Sequence, residues 1–251
     1  MVKWKRLLRR FLIGLLKLTE EKGRERKKRK KVPFRETRIS PWLMGPAIFL
    51  ILFWIFLGEF GFSWQNLLAL FLFMGIIVVM LSLYFKAYIP EMDEQATVGI
   101  MGLITIIMVV LIEVIRVTPE LSSYLVPVAS AGMLITILIN SHLAMVEVLL
   151  LSIILAVVNR FDFNLFFFAL VGGLAGIYSS LDVRHRRDLV RAGLYISAAN
   201  MAIVFMIGLM EQKPLTQMGE NFLWGIGNGF LSVILTMGIL PYLEEVFSIT
   251  T

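Results

Sequence analysis

The stretch YLVPVASAGMLITILINSHLAMVEVLLLSIILAVV, residues 124–158, decides how the rest of the chain is read. Two apolar runs, 124–139 and 142–158, flank a tight turn at Asn140-Ser141-His142, and Glu147 is the only formal charge in the stretch. A helix needs about 20 apolar residues to cross a hydrocarbon core ~30 Å thick, and each run comes close. The two therefore read as neighbouring membrane helices joined by a hairpin.

Outward from this pair the pattern repeats. Uncharged or nearly uncharged stretches lie at 42–58, 65–85, 97–115, 164–181, 192–210 and 221–243, which brings the count to eight. Hydrophobic residues make up 58% of the 251-residue chain and charged residues 17%, with a mean hydropathy of +0.82. No soluble domain of this size hides so much apolar surface. The fold class that follows is all-α, a polytopic membrane helix bundle of one helix plus seven. Its expected divisions are 1–21, 22–40, the first span 42–58 and a seven-helix domain over 62–251.

Charge sets the orientation. Residues 1–40 hold 16 of the 24 Lys and Arg, and the last 211 residues are mildly acidic. With the amino terminus inside, 21 basic residues face the cytoplasm, against Arg116, Arg160 and Lys213 outside. Positive charge favours the inside, so both termini are expected to be cytoplasmic. Merging the fourth and fifth helices into one re-entrant unit would turn the basic run at 184–191 outward. Eight separate helices are therefore preferred.

The first 21 residues place Trp4, Leu7, Leu8, Phe11, Leu12, Leu15 and Leu18 on one helical face, with Lys5, Arg6, Arg9 and Arg10 mainly on the other. This predicts an amphipathic helix at the membrane surface, drawn to anionic lipids. A signal peptide is the rival, but Phe11–Leu16 is a short core and no small-residue cleavage site follows. KGRERKKRKK at 22–31 is too charged to pack and reads as a cytoplasmic linker. The high pI thus describes a basic tail on a membrane body, and no nucleic-acid partner is expected.

Small residues mark packing faces. Gly172, Gly173 and Gly176 fall in the sixth helix, and Gly225, Gly229 and Ser232 in the eighth. Close helix approach in lipid needs such positions. GIGNG at 225–229 is not a phosphate loop, because no Lys-Ser/Thr follows and the flanks are apolar. Pro127 and Pro241 are expected to kink or end helices.

Polar groups inside a membrane need a reason. Glu113 and Arg116 share a helix face and should pair. Glu147, Arg191, Asn200 and Asn228 are the candidate ligand-binding constellation, a polar pocket open to the inside. The competing expectations are a snorkelling Arg191 and asparagines that bond between helices. No cysteine is present, the two histidines (His142 and His185) form no metal motif, and GxSxG is absent. No catalytic residue and no metal site are expected in this chain.

Three strings give the chain a resemblance: 124–158, RHRRDLVRAGLYISAANM (184–201) and NGFLSVILTMGILPYLEEVFSITT (228–251). Together they resemble the membrane region of the seven-transmembrane-receptor HD hydrolases, the PgpH-type cyclic-di-AMP phosphodiesterases. FSWQNLLALFLF (62–73) looks like the start of that region. The resemblance implies a membrane sensor and anchor that relays a signal to a cytoplasmic HD domain, in the bacterial cytoplasmic membrane and with a homo-oligomer possible. Family members insert an extracytoplasmic domain after the first helix, where this chain has only Glu59, Phe60 and Gly61. The catalytic metal ions belong, by resemblance, to an HD domain that would begin near Thr251. No cofactor is therefore expected here, whether the chain is an excised core or a natural short relative. An alternative is a solute-binding or transport bundle similar to the substrate-binding components of vitamin transporters. An intramembrane enzyme built on Glu147 lacks a second carboxylate or histidine beside it.

Overall fold

A computed structural model of the chain describes residues 41–88, 94–183, 186–212 and 214–247. The surface helix expected at 1–21, the linker at 22–40, and Lys5, Arg6, Arg9 and Arg10 lie outside the described residues. Among the described residues the structure is all-helical. Its eight α-helices are α1 (Pro41–Phe60), α2 (Trp64–Tyr88), α3 (Glu94–Val117), α4 (Val128–Leu138), α5 (Ser141–Val158), α6 (Phe163–Ser180), α7 (Arg186–Met210) and α8 (Leu215–Phe247). A short 3₁₀ turn, Ser123–Leu125, precedes α4. Among the described residues, five helices contain spans long and apolar enough to cross a membrane: 97–117, 141–158, 163–180, 187–210 and 218–247. Shorter apolar stretches lie at 46–60, 64–79 and 123–138.

The fourth helix departs from the continuous span expected over 124–139. Its helical part has 11 residues, about 16 Å of rise and half of a hydrocarbon core. Pro127 is the cause, since it supplies no amide hydrogen to the turn before it. Nine of the 11 residues of α4 are buried, so it is apolar on every side and lies within the bundle. Asn140 ends the break and caps α5, its side-chain oxygen accepting from the Leu143 amide at 2.8 Å. Of the two outcomes expected at Pro241, a helix end does not occur, and α8 continues six residues further to Phe247.

Glycines let these helices touch. A methyl group on Gly176 would lie 2.8 Å from the Ala129 carbonyl oxygen of α4, and one on Gly173 would collide with the Val148 side chain of α5. A methyl group on Gly229 would lie 2.8 Å from the Gly193 carbonyl oxygen of α7. Gly208 opposes Met218, Asn200 opposes Gly225 and Gly193 opposes Gly229, an antiparallel register that runs along α7 and α8.

Polar contacts tie one end of the bundle together. Arg116 at the end of α3 donates to Glu59 at the end of α1 (2.5 Å), and Arg160 just after α5 also donates to Glu59. Ser123 donates to Asn159 at 3.0 Å, and Asn164 of α6 donates to Glu211 after α7 at 2.7 Å. The ends of α1, α3, α5 and α7 therefore share a face, with the starts of α4 and α6. A hairpin of α4 and α5 returns to the face it left, so it does not reverse the helices that follow.

Candidate functional site

Asn228 of α8 is the hub of the polar interior. Its side-chain nitrogen donates to the main-chain oxygens of Tyr124 (3.0 Å) and Val126 (2.7 Å). These carbonyls belong to the broken turn ahead of α4, where Pro127 has no hydrogen to offer. The Val126 oxygen also accepts from the Val128 amide at 3.0 Å, so it is the Tyr124 oxygen that depends on Asn228. Left unmatched in a membrane interior, it would cost several kcal/mol. An asparagine amide has two hydrogens, and both go to this turn.

Asn200 of α7 completes the tie. Its nitrogen donates to the Gly225 carbonyl oxygen at 3.2 Å and to the Asn228 side-chain oxygen at 3.1 Å. Its own oxygen is buried without a hydrogen-bond partner and faces Gly172, where a Cβ would collide with it. Ser197 donates to the Ile226 carbonyl oxygen at 3.1 Å, one turn along the same seam. The seam joins α7, α8, α6 and the entrance to α4 well inside the bundle.

Glu147 stands apart from it. The side chain is 1% exposed on α5 and pairs with Thr105 of α3, oxygen to oxygen, at 2.6 Å. Thr105 also lies 2.8 Å from the Met101 carbonyl oxygen. A hydroxyl brings one hydrogen, so both contacts are full hydrogen bonds when the Glu147 carboxyl supplies the second. Arg191 joins neither group. It is exposed, and nine residues separate it from Asn200, which places the two on opposite faces of α7.

The four residues expected to share a pocket are thus divided. The structure brings Asn200 and Asn228 together, gives Glu147 another partner and leaves Arg191 on the outside. Arg116 and Glu113 form the expected pair, with two contacts of 2.8 Å. Glu59 and Arg160, which extend this pair, were not legible as its partners because they lie 57 and 44 positions from Arg116. Among the described residues no three His, Cys, Asp or Glu side chains are grouped to hold a metal. The seam is built of amides and hydroxyls that hydrogen-bond between helices.

Residues 64–251 match the family model described as "7TM receptor with intracellular HD hydrolase". The chain is also similar to the cyclic-di-AMP phosphodiesterase PgpH of Bacillus subtilis (strain 168), 24% identical over 194 residues, covering 72% of this chain and 27% of the relative. A second relative is the cyclic-di-AMP phosphodiesterase PgpH of Listeria monocytogenes serotype 1/2a (strain 10403S), 26% identical over 133 residues, covering 51% of this chain and 18% of the relative. The chain thus spans a minor part of the curated relatives it matches. No solved structure matches it.

Proposed function

The chain belongs to the family of 7TM receptors with an intracellular HD hydrolase, and from that membership we propose that it is the membrane sensor and anchor module of a bacterial cyclic-di-AMP phosphodiesterase. In this reading it sits in the cytoplasmic membrane with both ends inside and passes a signal to an HD domain through α8. The names of its relatives support the enzyme class. The metal-dependent hydrolysis would belong to the HD domain.

One observation carries the relay. α8 is a single 33-residue helix that holds Asn228 of the seam and, at its far end, the buried residues Leu243 and Phe247. Phe247 packs on Gly99 of α3, where a Cβ would lie 3.2 Å from its ring. A stimulus that favours a different packing of the seam would act on the same continuous helix that carries this clasp. Such a relay needs only two packings that the stimulus stabilises unequally.

The test is cellular cyclic-di-AMP in a strain whose own copy carries Phe247→Ala or Asn228→Leu. Both should shift the nucleotide level with the amount of membrane-inserted protein unchanged, and a level unmoved by either would defeat the relay. The purified chain with cyclic-di-AMP and manganese should release no product. Metal-dependent turnover would place catalysis within the membrane region instead.

A further inference from the structure

A cleft of about 340 Å³ opens between α1, α2, α5 and α6, near the end of the bundle where Glu59, Arg116 and Arg160 meet. Its walls include Phe56 and Phe73 from α1 and α2, Ile153 and Ala156 from α5, and Phe161 and Phe166 across the following turn. The volume falls within the ~300–1,000 Å³ range of small-ligand sites. The lining side chains are hydrocarbon, so a polar solute would lose its water and gain no partner.

The turn that borders the cleft is strained. Arg160 and Phe161 both take left-handed backbone angles, φ 59° and 61°, in a place without glycine. Such residues are strained and persist where the surroundings hold them. Here the conformation sets Phe161 on the cleft and Arg160 beside it. The neighbouring charges turn inward, with Glu59 14% and Arg116 20% exposed, but the Arg160 side chain is 76% exposed. Glu59 engages only its Nε. The planar terminal nitrogens suit a phosphate oxygen.

We propose that this cleft is a phospholipid site, taking one acyl chain among Phe56, Phe73, Ile153 and Phe161 while Arg160 binds the anionic headgroup. The apolar wall and the outward cation stand in the order that an acyl chain and its phosphate present in a leaflet. Arg160 is the cationic member of the ion cluster that faces outward, which selects an anionic lipid over a zwitterionic one.

The experiment uses the full chain in nanodiscs of mixed phosphatidylglycerol and phosphatidylcholine. A trace of phosphatidylglycerol carries a diazirine on one acyl chain, and labelled residues are mapped after irradiation. Labelling should concentrate on Ala69, Phe73 and 153–166 and fall when Ala156→Phe or Ala69→Trp fills the cleft. Arg160→Gln should reduce the preference over diazirine-bearing phosphatidylcholine about fivefold, the effect of one surface cation on an anionic lipid. Equal labelling of the exposed α2 residues Leu68, Leu72 and Ile76 would overturn the proposal. So would labelling that survives both filling variants, or that phosphatidylcholine matches in the unaltered chain.

Discussion

Asn228 holds the main-chain oxygen of Val126 at 2.7 Å, across 102 positions of sequence. The contact converts a backbone defect into a joint, since the turn that Pro127 leaves short of donors becomes the attachment point of α8. Replacing Asn228 by Leu leaves the Tyr124 carbonyl unmatched and the Val126 carbonyl with only the Val128 amide, and should destabilise the bundle by about 1–3 kcal/mol. Asp keeps the shape but, when ionised, brings no donor, so Asn228→Asp should be at least as damaging. Reversible unfolding in mixed micelles checks both, and an Asp variant as stable as the parent would show that the donated hydrogens matter little.

The Glu59 cluster should divide unevenly between its two arginines. Arg116 is mostly covered and also holds Glu113, but Arg160 lies largely in solvent. Exposed pairs contribute about 0–1 kcal/mol, and enclosed ones lose more when a single partner is removed. A double-mutant cycle with Glu59→Gln should give a coupling of about 1 kcal/mol or more for Arg116→Gln and below about 0.5 kcal/mol for Arg160→Gln. Equal couplings would mean that both arginines are held in the same environment.

Two glycines of α6 should respond differently to the same added methyl. At Gly173 the obstacle is the Val148 side chain, and at Gly176 it is the backbone of Ala129. Each Ala substitution should cost about 1–3 kcal/mol through overpacking. Val148→Ala should restore much of the stability of Gly173→Ala and none of that of Gly176→Ala. Thermal unfolding of the four variants decides it, and rescue of both by Val148→Ala would show that α4 moves freely against α6.

Hydropathy alone located the eight helices, because each must bury or face lipid with nearly every side chain. The half-length of α4 was not legible. An apolar count records side chains, and the break depends on which group answers the carbonyls of Tyr124 and Val126. Glu113 and Arg116 were legible at three-residue spacing on one helix, whereas Glu59 and Arg160 meet only because α1, α3 and α5 end at one face. The separation of Arg191 from Asn200 was available in advance, since nine residues amount to half a turn beyond two full ones. The division between Glu147 and the asparagines was not, because it follows from packing α3 against α5.

Glu147 and Thr105 should behave as a neutral pair. With the Thr105 hydrogen directed to Met101, the carboxyl completes the chain as a donor, and a glutamine amide fills the same role. Glu147→Gln should therefore stay within about 1 kcal/mol of the parent, near the net contribution of one hydrogen bond. Glu147→Lys should prevent stable packing of α3 against α5, because it buries a charge with no opposite partner in this contact. The direct measurement is infrared difference spectroscopy of the reconstituted chain at neutral pH. The protonated-carboxyl band of the parent should lose a component in Glu147→Gln. A carboxylate band lost in its place would show that Glu147 is ionised and that Thr105 gives its hydrogen to Glu147 and not to Met101.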